Sequence, residues 1–320
     1  WLSRPIVVLT DQLSAEHRRY LRQLSRKTWR FFEVFVTADD NFLPPDNVQE
    51  NRSPVVASRT SPTNIGMALL ANLAAYDFGY SSVGQLLDRT AKTFVTLGKL
   101  ERHRRHFFNW YDTRTLRPLL PKYVSSVDSG NLAGHLLVLR SGLLELIDAP
   151  IAPPKVFDGL RDTLSLLLDG ARQSVVPLPA EAIRRIENLE RRSMEIPASA
   201  TESIAMLEQF LGAAAEFRSL LSTDPEFQWW AASFERACID HRNDLLQLLA
   251  LARLPIAAEE SWPPSLSDEL ANLRGCLVRL NQAGTLREVA AFSASAVPLI
   301  DAILAGGSVP PSLGWLGQLR

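Results

Sequence analysis

Two long stretches without helical period, residues 37–60 and 103–131, are set into a sequence that otherwise reads as one helix after another. That contrast restricts the fold more than any other feature. Loops this long are uncommon between packed helices, and ordered ones generally serve function. The first stretch, TADDNFLPPDNVQENRSPVVASRT, holds paired prolines that forbid helix. The second, HRRHFFNWYDTRTLRPLLPKYVSSVDSGN, combines aromatic, amide, carboxylate, basic and hydroxyl groups. Phe107, Phe108, Trp110 and Tyr111 offer flat apolar faces, while Asn109, Asp112, Lys122 and Asp128 offer directed hydrogen bonds. Such a mixture suits a neutral polyhydroxylated ligand, whose ring has an apolar face and a hydroxyl rim.

Around these loops the helices read in order. Ser14–Val36 starts on a capping serine, with Glu16 in the first turn and Tyr20, Leu21, Leu24, Trp29, Phe32 and Phe35 as its apolar stripe. Ser61-Pro62 starts a second helix that is apolar on nearly all sides and therefore buried, and Gly79 ends it. A more polar, outer helix spans about Ser82–Glu101. Asp128 or Ser129 is the expected cap of another largely apolar helix, Leu132–Ile147, and an amphipathic outer helix follows over about Pro154–Ser174. Outer-to-inner connections are long and inner-to-outer ones short, so the long loops gather at one end, above the N-termini of the buried helices. This is the pattern of an α/α barrel or toroid with a ligand cleft at the loop end.

From Ala180 onward, helical segments near 180–193, 201–222, 225–253, 265–281 and 283–304 follow one another across Pro-bearing breaks. None carries a comparable loop, and no fixed-period repeat is visible. The expectation is an all-α chain of two parts: residues 1–178, part of a toroid with cleft loops, and 179–320, a supporting helical bundle.

Composition removes several function classes. The 34 basic and 35 acidic residues give a formal net charge of -1, which disfavours nucleic acid and anionic lipid as partners. The longest apolar stretch, near Ile65–Tyr76, is too short to span a bilayer and contains Asn72, and the N-terminal IVVL is too short for a signal peptide. The chain begins without Met and stops at GWLGQLR, so a piece of something longer is expected. Cys238 and Cys276 read as small core residues. No metal site is expected: His103 and His106 have helical metal spacing, but Arg104 and Arg105 between them repel a cation. His135 reads as a satisfied core histidine.

The carboxylates available for glycoside chemistry in the loops are Asp39, Asp40, Asp46, Glu50, Asp112 and Asp128. Plainer roles stand beside them. Asp128 precedes a helix and is placed to cap it, and Asp46 in PPDN is an ordinary turn residue. Asp112 and Asp128 are therefore weak catalytic candidates and better contacts for sugar hydroxyls. Asn109-Trp110-Tyr111-Asp112 is the leading ligand-contact run, with a β-hairpin whose aromatics bury beneath the loop as the structural alternative. Asn131, Arg59, Asn64 and Asp46 complete the set of binding candidates.

The same residues carry a family resemblance. RTSPTNIG (59–66), LGKLERHRRHFFNWYDT (97–113), LRPLLPKYVSSVDSGNLAGHL (116–136) and TWRFFEVFVTADDNFLPPDN (28–47) resemble the middle, glucoamylase-like region of cyclic β-1,2-glucan synthases, densely from about Thr28 to Leu137. The resemblance implies part of an (α/α)6 toroid acting on β-1,2-glucan, in a region that closes linear glucan into rings by retaining transglycosylation. It implies a parent with a membrane-embedded glycosyltransferase before this region and a phosphorylase-like domain after it. The parent would sit at the bacterial inner membrane, with this region soluble and cytoplasmic. UDP-glucose belongs to the preceding domain, so no cofactor is implied here. The family's catalytic glutamates lie in later segments that have no counterpart before Arg320. Two other readings compete: a non-catalytic helical carbohydrate-binding or interdomain scaffolding module, and a stand-alone glycoside hydrolase using the loop carboxylates.

Overall fold

The computed structural model describes residues 13–50, 54–173, 178–219, 224–249 and 284–305, together with positions 275, 278, 281 and 282. The chain is all-α, as expected. Among the described residues the helices with both ends in view are α1 (Ala15–Phe35), α2 (Pro62–Asp77), α3 (Val83–Lys99), α4 (Ser126–Leu146), α5 (Lys155–Gln173), α6 (Ala180–Arg192), α7 (Ala200–Ser219), α8 (Pro225–Leu248) and α9 (Leu286–Ala305). Three two-stranded antiparallel ribbons lie in the long loops. β1 (Val48–Gln49) pairs with β2 (Val55–Val56), β3 (Arg59–Thr60) with β6 (Tyr111–Asp112), and β4 (Arg102–His103) with β5 (His106–Phe107).

Serine starts four of the helices by accepting an orphan backbone N–H: Ser14 from His17, Ser61 from Asn64, Ser82 from Gln85 and Ser125 from Asp128. The last of these corrects the expected start of α4. Because Ser125 takes the Asp128 N–H, the helix begins a turn early, and Asp128 sits inside its first turn rather than capping it. At the far end of α2, Gly79 has a φ of +78°, and a Cβ there would meet the Lys155 carbonyl at 1.9 Å. Across the contact, a Cβ on Gly159 would come within 2.2 Å of the Gly79 carbonyl oxygen. This glycine pair lets the end of α2 meet the start of α5 backbone to backbone.

The largest apolar core joins α5 to α6, α7, α8 and Phe292 of α9, around Leu160, Leu164, Leu167, Phe210, Trp230 and Phe234. A second core lies beneath the loops and joins Leu43, Ile65, Leu69, Leu97, Leu100, Phe108, Tyr111 and Leu139. Helix α5 is therefore no outer helix; 12 of its 19 residues are buried. Its apolar side faces the large core, while Asp162, Thr163 and Ser165 face α1. Cys238 is buried in the large core, as expected; Cys276 and most of the expected 265–281 helix lie outside the described residues.

Helix α1 follows only the second half of the expected stripe: Trp29 is buried and Phe32 packs against it. Tyr20, Leu21 and Leu24 are exposed, whereas Arg26 is 1% exposed. Around Arg26 the buried face is polar because it meets the polar side of α5. Arg22 Nε lies 2.8 and 3.0 Å from the two Asp162 oxygens, and the Tyr80 hydroxyl donates to the same carboxylate at 3.0 Å. Burial pushes the Asp162 carboxyl up more than these hydrogen bonds pull it down, whereas Arg22 is held up by the same carboxylate. The two close contacts to the Arg22 Nε hold the pair ionised. Arg26 donates to Thr163 on α5 (3.0 Å), to Ser233 on α8 and to Glu33 (2.7 Å).

Helix α4 also differs from expectation. Only Leu132, Leu139 and Leu146 are buried, one residue in seven, because α4 packs chiefly on α2 and leaves Leu137, Val138 and Leu144 exposed. His135, expected to be a satisfied core histidine, is half-buried with no hydrogen-bond partner at Nδ1. It faces Gly66, where a Cβ would come within 2.4 Å of that nitrogen.

Replacing Arg26 by Ala strands Glu33, Thr163 and Ser233 at the junction of three helices. We expect a loss of about 3 kcal/mol, read as a lowered melting temperature with the helical circular dichroism retained at 20 °C. An unchanged melt would show that the polar seam contributes nothing net. A second prediction concerns pH. Burial and neighbouring Asp244 push the Asp240 carboxyl up from 3.8 to about 6. The folded state therefore favours the protonated acid, and this stability, present below about pH 4, is lost as pH rises through about 6. Asp240→Asn should raise stability at pH 7.5 by about 1–2 kcal/mol, allowing for solvent screening. The difference from the parent sequence should vanish near pH 4, and a gain independent of pH would refute the assignment.

Candidate functional site

The start of α2 and the start of α4 lie side by side, and the two long loops fold over them. The β3–β6 ribbon locks the loops to each other by pairing Arg59 with Asp112 and Thr60 with Tyr111. Asn41 strengthens the same junction by donating to the Thr113 and Arg114 carbonyls at 2.8 and 3.0 Å. Buried Asp40 accepts the Thr113 hydroxyl at 2.5 Å. Two segments some fifty residues apart in sequence thus form one platform, as the clustering of the loops at one end requires.

On this platform a continuous polar network joins most of the candidate residues. Asp128 accepts the Thr63 hydroxyl at 2.7 Å through Oδ1. With the Asn109 amide oriented to match its neighbours, it donates to Asp128 Oδ2 at 2.7 Å. In the same orientation its carbonyl accepts from the Tyr123 hydroxyl at 2.7 Å and from Trp110 Nε1 at 2.8 Å. Asn131 donates to the Thr63 hydroxyl at 3.1 Å. On the other side of Trp110, the Arg59 guanidinium lies 5.2 Å from the indole centroid. Arg59 also donates to Asp46 at 2.9 Å, and Asn64 reaches the same carboxylate at 3.4 Å. The indole is therefore held by its N–H at one edge and by a cation over its face, and it remains half-buried.

Two candidates have different surroundings. Tyr111 has no exposed surface; its hydroxyl donates to the Glu101 carbonyl and accepts the Phe108 N–H, both at 2.7 Å. It anchors the loop from below, beyond the reach of a ligand on the platform. Asp112 closes its own turn: one carboxylate oxygen accepts the N–H groups of Arg114 (3.1 Å) and Thr115 (2.7 Å) and the Thr115 hydroxyl (2.9 Å). Thr63 and Tyr123 were not among the candidates. Thr63 carries a signal, since it shares the first turn of α2 with Asn64; Tyr123, beside Lys122, reads from sequence as a hydrogen-bonding residue, and the folded loop supplies its partner Asn109.

Both weak catalytic candidates are held ionised. The Thr115 N–H is the main cause that keeps Asp112 below the usual carboxylate range. At Asp128, burial acts to raise the carboxyl, but hydrogen bonds with Ser125, Thr63 and Ser61 outweigh it and hold the group below its ordinary value. The N-terminal ends of α2 and α4 also favour negative charge here. A glycosidic general acid needs the opposite, a carboxyl whose pKa is raised. The arrangement is suited to hydrogen bonding of hydroxyls beside an aromatic face.

His103 and His106 face each other across the β4–β5 ribbon and are not on a helix, because Arg104 and Arg105 form a turn at φ +48° and +74°. Among the described residues no group of three His, Cys, Asp or Glu side chains is placed to hold a metal ion. No described helix is long and apolar enough to cross a membrane.

Asp128→Ala would leave the Asn109 amide and the Thr63 hydroxyl without their acceptor. We expect about 1–3 kcal/mol of destabilisation and a red-shifted tryptophan emission as Trp110 is released. If Asp128→Ala matched the parent sequence in both readouts, the network would not hold the platform.

No protein-family model matches the chain. In an alignment 264 residues long that covers 76% of the chain, it is 38% identical to the cyclic β-(1,2)-glucan synthase NdvB of Rhizobium meliloti (strain 1021). The chain spans about 9% of the length of that relative.

Proposed function

The chain belongs to the cyclic β-1,2-glucan synthase family, as one region of a longer relative, and from that premise we propose that its loop platform holds β-1,2-glucan during ring closure. The observation that carries the reading is the network through Asp46, Arg59, Trp110, Asn109, Asp128, Thr63 and Asn131. Trp110 gives a sugar ring an apolar face, and the amides and carboxylates around it give its hydroxyls partners. The reaction served is retaining transglycosylation. The depressed carboxyls of Asp112 and Asp128 favour a holding role for both, with the catalytic glutamates elsewhere in the parent protein.

In this reading residues 1–178 contribute part of an (α/α)6 toroid, and 179–320 form the bundle that supports it. The glycosyltransferase and phosphorylase-like domains of the parent are its partners, and the parent is seated at the bacterial inner membrane. A scaffolding reading is favoured by one observation: Tyr20, Leu21 and Leu24 on α1, and Leu137, Val138 and Leu144 on α4, are exposed apolar groups suited to contact with other domains. The two roles are compatible.

Trp110→Ala should weaken binding of linear β-1,2-glucan by about tenfold, the effect of losing one aromatic platform. Isothermal titration on the 320-residue chain reads the affinity, and cyclic-product analysis on the longer protein reads ring closure. Unchanged affinity and unchanged cyclic product together would sink the site. Reducing sugar released by the chain alone would instead favour the hydrolase reading.

A further inference from the structure

A cavity of about 260 Å³ lies between α1, α3 and α8. It is at the opposite end of α2 from the loop platform; α2's 16 residues separate the two by roughly 24 Å of helix. The chemistry that resembles a sugar site and the roomier cavity are thus in different places, and the cavity uses none of the platform residues.

Trp29, Tyr80 and Trp229 supply its aromatic walls, each with a guanidinium already over one face (Arg89 5.1 Å from Trp29, Arg26 5.4 Å from Tyr80, Arg30 4.1 Å from Trp229), and Glu33, Arg89, Arg236 and Asp240 supply its charges. Two acidic groups therefore face two basic ones, and each is already engaged. Glu33 accepts from Arg26 at 2.7 Å; Arg89 donates to the Phe32 carbonyl at 2.7 Å and to Asn72 at 3.2 Å. Asp240 is hydrogen-bonded to Gln85, and Arg236 lies 5.9 Å from the Trp229 centroid. The formal charges of the four lining side chains cancel. A carboxylate has about four acceptor positions and a guanidinium five N–H donors, so the same groups retain capacity for hydroxyls. With aromatic faces beside them, they match a neutral ring with a hydroxyl rim, and the volume suits a ligand smaller than a drug-sized one.

We propose that this cavity is a second saccharide site, taking one or two glucosyl units of β-1,2-linked glucan against Trp229, with Arg236 and Asp240 binding hydroxyls. The choice of sugar rests on the proposed function; the location of the site does not.

The probe is sophorose, the β-1,2-linked glucose disaccharide, titrated into the 320-residue chain by calorimetry and tryptophan fluorescence. In a Trp110→Ala background, binding with a fluorescence change should persist. Adding Arg236→Gln should weaken that residual binding about tenfold, a loss of about 1.4 kcal/mol, and Asp240→Asn should do so independently if the first variant folds poorly. Retained binding that neither substitution alters overturns the second site. Binding abolished by Trp110→Ala alone overturns it too and leaves the platform reading standing. Binding untouched by Trp110→Ala but lost with Arg236→Gln and with Asp240→Asn supports the cavity and tells against the platform. No sophorose binding by the intact chain overturns the cavity, while the separate titration with longer glucan still decides the platform.

Discussion

Arg26 ties three helices together through one buried guanidinium. Its guanidinium is buried between α1, α5 and α8, with partners on all three, and it lies 5.1–5.8 Å from the ring centroids of Tyr80, Trp229 and Trp230. A buried charge is tolerated only when fully engaged, so the three helices must sit where its donors reach. Arg22 with Asp162 and Tyr80 continues the same seam toward the end of α2. The seam contributes less net stability than its contacts suggest, because desolvation offsets much of the attraction. What it fixes is register: α1 cannot slide or turn on α5 without stranding a guanidinium.

From that seam the order propagates to the loops. The last turn of α1 is tied to α3 through the Phe32 carbonyl and Arg89, and the chain leaving α1 is tied again by Thr93 and Thr96, whose hydroxyls donate to the Phe42 and Asn41 carbonyls. Asn41 and Phe42, both at positive φ, turn the backbone so that Leu43 enters the core beneath the platform. Phe108 and Tyr111 descend into the same core from the second loop. Each loop therefore has apolar anchors below and polar groups above, with buried Asn109 holding the half-buried Trp110 in place between them.

The parts of this arrangement legible in the sequence are those governed by local rules. Ser14, Ser61 and Ser82 announce helix starts, Gly79 announces an end, and the density of polar and aromatic residues marks the two loops. Local rules failed where a neighbouring helix decided the outcome. The stripe Tyr20-Leu21-Leu24 looks like a buried face, but the partner helix offers Asp162, Thr163 and Ser165, so the arginine face turns inward instead. Helix α5 has the pattern of an outer helix, yet Asp162, Thr163 and Ser165 on its polar side are buried as well. At the platform, sequence identified Asn109, Trp110 and Asp128 by type. It did not separate the Tyr111 ring in the core from the Trp110 ring beside it, because adjacent residues of an extended segment point to opposite faces.

The β3–β6 ribbon contains only two residue pairs, but it changes the thermodynamics of whatever the platform meets. Two separate loops would each have to be ordered by an incoming ligand, which would reduce the affinity it gains. Joined at Arg59–Asp112 and Thr60–Tyr111, and anchored into one core, they are ordered when the chain folds. Recognition can then proceed on a preformed surface, with the ordering entropy already met. The same joint makes the loops mutually dependent, so a length change in either one shifts the groups presented by the other.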